Sequence, residues 1–326
     1  MRVVACLGVI VLHVAADVVT DDHVTHGAWS IGKAFDAPVR WCVPVFVMVT
    51  GALLLPDAGE SAAAFYRKRL TRVLIPVVFW TLAYWGFRFA TAPDDIEFPG
   101  ALLELLNGGA YYHLWYLYML VGLLFWVPIL RAFAAAQGRG ALLVAAIVLY
   151  LFGSVGVITA VFYPNEGLTT FFGAAIPFSA YLIFGHLLWS RDKPWPSWAA
   201  LVSFVVSGVA VFAMTEALLT RVPNSYDTTY SEFNPAVLLG ALAVFGGFMA
   251  LKGRASAGVV AAIARVSLGI YLLHPMVLFA ADQVLHDWLI AQPLAAIPVI
   301  SLGAFLATWL ACMLAERIPP LRPLVS

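Results

Sequence analysis

Two basic residues stand eleven positions apart in the first apolar segment of the chain. Residues 2–13 read RVVACLGVIVLH, so Arg2 begins the segment and His13 ends it. In an α-helix, eleven residues return almost to the starting azimuth and rise about 16 Å, so the two side chains share a face without touching. Guanidinium groups bind anions, and imidazole acts as a general base near neutral pH. The spacing therefore suits a long ligand with an anionic end near Arg2 and a reactive end near His13.

A carboxylate stands one helical turn beyond the histidine. Asp17 occupies the i+4 position relative to His13, within reach of the second ring nitrogen. A carboxylate there fixes the tautomer of an imidazole and stabilises its protonated form. The alternative is that His13 makes only an interhelical hydrogen bond that fixes packing. We predict that Asp17 orients His13 as a base.

A second basic group lies in the stretch FYRKRLTR, residues 65–72. Arg69 and Arg72 are at i and i+3, on one face of a helix that enters the next apolar segment. Guanidinium forks bind phosphate through paired hydrogen bonds, so the pair is a candidate phosphate site. The alternative is the general excess of Lys and Arg on the cytoplasmic side of membrane proteins.

Aromatic residues are dense in YYHLWYLY, residues 111–118, which contains His113 and Trp115. Trp and Tyr favour membrane interfaces, and that preference explains most of them without a function. Rings with polar tips also form platforms for sugars. Arg40 is expected at a similar depth on the outer side.

One stripe of polar side chains runs along SLGIYLLH, residues 267–274. Ser267, Tyr271 and His274 are at i, i+4 and i+7, on one face of a helix. Such a stripe inside the membrane needs either a cavity or partner helices with polar groups. We favour the cavity.

These residues must be positioned by membrane-spanning helices. The chain has 326 residues, of which 63% are hydrophobic and 11% are charged, whereas soluble domains carry about 25% charged residues. A spanning helix needs about 20 apolar residues. Ten stretches qualify, at residues 2–19, 38–55, 73–92, 113–130, 141–162, 171–189, 198–219, 235–251, 266–285 and 294–314. The sequence therefore predicts an all-α polytopic membrane protein with a single domain over residues 1–326.

The basic residues give the orientation. Fourteen of the eighteen Lys and Arg residues fall at the ends and in the alternate connections that share one side. The positive-inside rule makes that side cytoplasmic, so both termini are predicted to be cytoplasmic. The net charge of zero gives no sign of a nucleic-acid partner. Cys6, Cys42 and Cys312 all lie in apolar segments, and they are expected to form neither a disulfide framework nor a metal site.

Taken together, these motifs resemble acyltransferase family 3, the ten-helix membrane acyltransferases that modify bacterial surface glycans. The family has an Arg, ten residues and a His in its first helix, and an R-x-x-R pair before its third. The stretch RWCVPVFVMVTGALL, residues 40–54, resembles its V-P-x-F-F-x-x-S-G segment, with Thr50 where Ser is usual. HLWYL and SLGIYLLH resemble its signatures in helices four and nine. The branch that O-acetylates the enterobacterial common antigen is the most similar, since it shares the Arg before V-P.

The resemblance implies a reaction. The donor is acyl-CoA, usually acetyl-CoA, and the acceptor is a sugar hydroxyl of a cell-surface polysaccharide or lipid-linked glycan at the outer side of the bacterial inner membrane. Arg2, Arg69 and Arg72 hold the phosphates of the donor. His13 removes the proton of the hydroxyl or accepts the acyl group itself, and these two routes stay open.

The remaining candidates receive roles along the substrate path. Arg40 stabilises the oxyanion or orients the acceptor. The residues expected to line the path are His113, Trp115, Ser267, Tyr271 and His274. No metal is expected. Two other classes remain open, a transporter or flippase of a glycan precursor and a structural membrane protein. The oligomeric state is open as well, a homodimer included.

Overall fold

The computed structural model describes residues 1–56, 59–93, 109–162, 171–191, 193, 195–219, 226–251 and 258–326. Within these ranges the secondary structure is helical, without strands. The helices are α1 (Arg2–Thr20), α2 (His26–Asp36), α3 (Cys42–Leu54), α4 (Ala62–Thr91), α5 (Trp115–Ala136), α6 (Arg139–Phe162), α7 (Phe171–Trp189), α8 (Ser197–Leu219), α9 (Tyr226–Thr229), α10 (Pro235–Phe248), α11 (Val259–Arg265), α12 (Ser267–Ala291), α13 (Pro293–Ala315) and α14 (Arg322–Val325). Short 3-10 segments cover Ala37–Val39 and Met249–Leu251.

The predicted spans coincide with these helices. Eight helical stretches are long and apolar enough to cross a membrane, and two shorter apolar helices cover Ala174–Trp189 and Pro235–Leu251. These ten stretches correspond in order to the ten predicted ones, so the prediction of an all-α polytopic membrane protein is confirmed. Both faces of a spanning helix can be apolar because lipid, not water, surrounds the bundle.

Helix α4 begins earlier than hydropathy predicted, at Ala62 rather than at residue 73. Ser61 caps its start, and the Ser61 hydroxyl accepts a hydrogen bond of 3.2 Å from the backbone N–H of Ala64. The basic first turns are too polar to score as a span. As a result, Arg69 and Arg72 lie inside a continuous helix, directly before its apolar part.

Helix α2 is an element that the sequence prediction treated as a connection. It is capped by Thr25 and carries Lys33, whose side chain is fully buried. The Lys33 ammonium group forms an ion pair with Glu216 of α8, and it lies 3.4 Å from the centroid of the Trp29 ring. Pairing with a carboxylate and an aromatic face makes burial of a lysine tolerable.

Helices α3 and α7 pack backbone to backbone. A Cβ atom at Gly51 would overlap the backbone of Leu182, and one at Gly185 would overlap the backbone of Met48. Small residues allow this close approach, which in membranes replaces the hydrophobic driving force with van der Waals contact.

Helix α1 is central to the bundle. It packs against α2, α3, α12 and α13, and α12 in turn packs against α13 and α14. This arrangement brings the face of α1 that carries His13 against α12, and it brings the start of α1 near the starts of α4 and α14. We call the latter the Arg2 end of the bundle.

Candidate functional site

Three imidazole rings from distant parts of the chain meet inside the bundle. They belong to His13 of α1, His113 before α5 and His274 of α12. The ring centroids of His13 and His274 are 5.3 Å apart with an interplanar angle of 20°, and those of His113 and His274 are 5.6 Å apart. Both His113 and His274 are buried. In the described part of the chain, no three His, Cys, Asp or Glu residues are placed to hold a metal ion.

A proline fixes the tautomer of His274. Pro275 has no N–H, so the carbonyl of Tyr271 loses its regular i→i−4 partner in α12. The Nδ1 atom of His274 lies 2.6 Å from that carbonyl. A carbonyl oxygen only accepts, so Nδ1 must carry a proton and donate it, which leaves Nε2 as an acceptor in the neutral ring. His274 is therefore held in one orientation, against which the ring of His13 stacks.

Tyrosine rings surround the imidazoles. The Tyr271 hydroxyl donates a hydrogen bond to the backbone carbonyl of His113, and the Tyr84 hydroxyl donates one of 2.6 Å to the carbonyl of Leu272. The ring of Tyr112 lies 4.7 Å from that of His13. These contacts tie α4, α12 and the segment before α5 together around the cluster.

The contact expected between His13 and Asp17 is not formed. Asp17 is exposed and makes neither an ion pair nor a hydrogen bond with a described residue, and the charged groups that act on it are Asp282 and His286 of α12. The ring of His13 instead stacks on that of His274 in the neighbouring helix α12. The structure thus places an imidazole, not a carboxylate, beside His13.

Arg40 is engaged by other partners. Its guanidinium forms an ion pair with the buried carboxylate of Asp36, one helical turn earlier, and its Cζ atom lies 3.8 Å from the centroid of the Tyr230 ring. These partners hold Arg40 in a fixed position. Its expected role in stabilising an oxyanion stays a prediction.

Trp115 packs away from the imidazoles. Its ring contacts are with Tyr116 and Phe178, the latter at 5.8 Å between centroids. The neighbouring His113 points into the cluster instead. The structure therefore gives Trp115 a packing environment, and its expected role on the substrate path stays a prediction.

A large cavity opens at the Arg2 end of the bundle. Its volume is about 940 Å³, within the range of small-molecule sites. Arginines from four segments line it: Arg2, Arg69, Arg72, Arg265 and Arg322. Ser267, Tyr116 and Tyr271 belong to its wall as well. The structure thus brings together the three arginines that the sequence singled out, with two of the three residues of the polar stripe.

Two of the lining arginines were missed from the sequence. Both Arg265 and Arg322 were counted only as cytoplasmic charges. Arg265 stands two residues before the polar stripe, and this position was a signal that the sequence offered. The Nε atom of Arg265 lies 3.1 Å from Oε1 of Glu316, the single carboxylate among the described lining side chains. The Nε atom of Arg69 is buried and has no hydrogen-bond partner in the part of the chain that the structure describes.

Tyr271 connects the cavity with the imidazoles. It lines the cavity, and its ring centroid lies 5.5 Å from that of His113 and 5.8 Å from that of His274. His13 lies behind these rings and is not among the described lining residues. A cavity lined by arginines and a cluster of imidazoles thus meet at one tyrosine, an arrangement suited to a ligand with a phosphate end and a reactive end.

Comparison with known protein families identifies the type of reaction. Residues 1–316 match the sequence profile of acyltransferase family 3, described as an acyltransferase domain. Searches of curated proteins and of solved structures found no significant match. Because the profile covers nearly the whole chain, this protein belongs to acyltransferase family 3 and is a multi-pass membrane acyltransferase.

Proposed function

We propose that this acyltransferase moves an acyl group from acyl-CoA to a sugar hydroxyl, and that the acyl group is acetyl. The acceptor is a cell-surface polysaccharide or a lipid-linked glycan at the outer side of the bacterial inner membrane. The observation that carries the proposal is the arginine-lined cavity that ends at Tyr271, beside the imidazoles. The match to an acyltransferase domain favours this reaction over the transport of a glycan precursor.

The charge of the cavity supports CoA as the donor. Five guanidinium groups face one side-chain carboxylate among the described lining residues, an excess of four positive side-chain charges. CoA carries a pyrophosphate and a 3′-phosphate monoester, together about four negative charges at neutral pH. Arg69 and Arg72, at i and i+3, present two forks at the spacing that suits two adjacent phosphates.

The distribution of basic residues supports an opening toward the cytoplasm, where acyl-CoA is available. The cavity lies at the Arg2 end, and the sequence collects fourteen of its eighteen Lys and Arg residues on that side. The pantetheine arm then extends toward the interior of the bundle. Along α1, Arg2 and His13 differ in height by about 16 Å, a distance that only a long donor can bridge.

The reaction uses the imidazole of His13. As the acceptor oxygen forms a bond with the thioester carbonyl carbon, His13 takes the hydroxyl proton. The C–S bond then breaks, and the imidazolium returns the proton to the leaving thiolate, so that an ester and CoA are formed. In the second route a ring nitrogen of His13 attacks the thioester carbonyl carbon, the C–S bond breaks, and CoA leaves as the thiol with the proton that the ring gives up. The acceptor oxygen then attacks the acyl carbon, the C–N bond breaks, and the hydroxyl proton returns to the ring.

Donor binding is tested by calorimetry on the purified full-length protein with CoA. We expect Arg69→Ala and Arg72→Ala each to weaken CoA binding by about tenfold, because each removes a charged hydrogen bond. Lys68→Ala is the matched control, since Lys68 is exposed on the same helical turn but does not line the cavity. Equal CoA affinity in the parent and both arginine variants would exclude the cavity as the donor site.

Transfer is tested in a deletion strain by mass spectrometry of its surface glycans. The enterobacterial common antigen is the first acceptor to examine, because the sequence resembles that branch of the family. We expect the deletion to remove an acetyl increment that the parent gene restores and His13→Ala does not. Full restoration by His13→Ala at parental membrane levels would refute the catalytic assignment. Acetyl-CoA labelled in the acetyl group, added without acceptor, separates the routes, since only the second one leaves label on the protein.

A further inference from the structure

The cavity contains two arginines that none of the family-like motifs includes. Arg265 ends α11, and Arg322 begins α14, beyond residue 316 where the family match ends. Both line the same cavity as Arg69 and Arg72. Their presence there calls for a ligand group in addition to the one that the R-x-x-R pair binds.

Arg322 is held in a fixed place. The indole N–H of Trp80 in α4 donates a hydrogen bond of 3.0 Å to the carbonyl of Leu324. Leu324 and Val325 are buried, and Val325 packs against Gly269 of α12, where a Cβ atom would be too close. The short helix α14 is thus anchored between α4 and α12. Because Leu324 and Val325 are anchored in this way, the backbone of Arg322 is kept at the wall of the cavity.

Arg265 is oriented by Glu316. The ion pair of 3.1 Å uses the Nε atom of Arg265, and no other hydrogen bond of this guanidinium is formed with described residues. Its two terminal amino groups are therefore available to an acceptor in the cavity. The Arg265 side chain is 56% exposed, whereas that of Glu316 is mostly buried, so a ligand phosphate can approach the guanidinium of Arg265.

We propose that Arg265 and Arg322 bind the 3′-phosphate of the donor and so select free acyl-CoA. This inference rests on the proposed function, which makes acyl-CoA the donor. The R-x-x-R pair suits the two linked phosphates of the pyrophosphate, whereas the 3′-phosphate is a separate monoester with a charge of about −2, which two further guanidinium groups balance. A phosphopantetheine arm on a carrier protein has no 3′-phosphate and gains nothing from these residues.

The test compares CoA with dephospho-CoA, which lacks only the 3′-phosphate. Calorimetry on the purified full-length protein is expected to show that the parent binds CoA about a hundredfold more tightly than dephospho-CoA, about tenfold for each guanidinium group. Arg322→Ala and Arg265→Ala should lower the affinity for CoA by about tenfold and leave the affinity for dephospho-CoA unchanged. Arg69→Ala should weaken the binding of both ligands.

Two further variants sharpen the test. Glu316→Gln keeps an acceptor for Nε of Arg265 and removes the opposing negative charge, so it should tighten the binding of CoA more than that of dephospho-CoA. An equal gain for both ligands would overturn the placement of Arg265 at the 3′-phosphate. Arg317→Ala is the matched control, because Arg317 adjoins Glu316 but does not line the cavity. Arg322→Gln replaces Arg322→Ala if thermal unfolding shows that the alanine variant is not folded.

The outcomes separate the inference from the proposed function. Equal affinity of the parent for CoA and dephospho-CoA would overturn the inference while leaving CoA as the donor. Equal losses for both ligands in Arg322→Ala would overturn it as well, since the residue would then act elsewhere than at the 3′-phosphate. If the parent bound neither ligand, the proposed function itself would fail.

Discussion

The bond between His274 and the carbonyl of Tyr271 offers a sharp test of the imidazole cluster. Pro275→Ala restores a backbone N–H that competes with His274 Nδ1 for this carbonyl. The His274 ring then loses the bond that fixes its orientation, and the stacked ring of His13 loses its support. Under the proposed function, we expect glycan acetylation to fall while the fold is kept.

The effect on stability is small because the contributions nearly cancel. Proline in a helix interior costs about 3 kcal/mol relative to alanine. The hydrogen bond from His274 already offsets about 1 kcal/mol of that cost. Pro275 is buried, and loss of its two ring carbons beyond Cβ costs about 1.6 kcal/mol. The net change in the free energy of unfolding is therefore below about 1 kcal/mol.

Pro275→Ala is expected to change the rate of acyl transfer more than it changes the stability of the fold. One orienting hydrogen bond is worth about 1–1.5 kcal/mol, so its loss from the transition state lowers the transfer rate by about tenfold. The assay is acetyl incorporation into surface glycans per amount of membrane protein, with thermal unfolding of the purified variant alongside. Pro177→Ala is the matched control, since Pro177 is also buried inside a helix but lies in α7. Undiminished acetylation by Pro275→Ala at parental membrane levels would refute the reasoning.

Three further predictions follow from the structure. Gly51→Val should prevent the close packing of α3 against α7 and so abolish the folded protein, as measured by the monodisperse yield in detergent. Gly86→Val is the control and should be tolerated, because a Cβ atom at Gly86 meets open space. Asp17→Asn should keep glycan acetylation within about threefold of the parent, because Asp17 makes no bond with His13; a loss of a hundredfold would restore its orienting role. CoA affinity should fall as salt rises, and this fall should be shallower in Arg72→Ala, as measured by calorimetry at several salt concentrations; an identical salt dependence in parent and variant would contradict phosphate contact.

Hydropathy predicted the helices because the membrane imposes a simple rule on length and polarity. Every predicted span corresponds to a helix. The rule fails where an element is short and of mixed polarity, as in α2, whose Lys33 is buried through its pairing with Glu216 in a distant helix. The polar first turns of α4 were missed for the same reason, since a capped helix extends beyond its apolar part.

The candidate site was partly predictable for a related reason. Arg2, Arg69 and Arg72 come together because alternate connections of a helical bundle lie at the same end, so residues at matching depths become neighbours. The spacing from Arg2 to His13 fixes a height along one helix and needs no tertiary information. Arg322 could not be assigned to the cavity in this way. Its position depends on the tertiary contacts of α14, in which Trp80 bonds to Leu324 and Gly269 packs against Val325.

The partner of His13 depends on contacts between helices, which is why local spacing pointed to Asp17 instead. The i+4 relation says only that two side chains can meet, whereas the packing of α1 on α12 decides that His13 meets His274. The same packing places Tyr271 between the arginine cavity and the imidazoles, with its hydroxyl bonded to the backbone of His113. A donor that fills the cavity therefore reaches Tyr271 first. Because Tyr271 and His274 are one helical turn apart, any displacement of this tyrosine acts directly on the ring that supports His13.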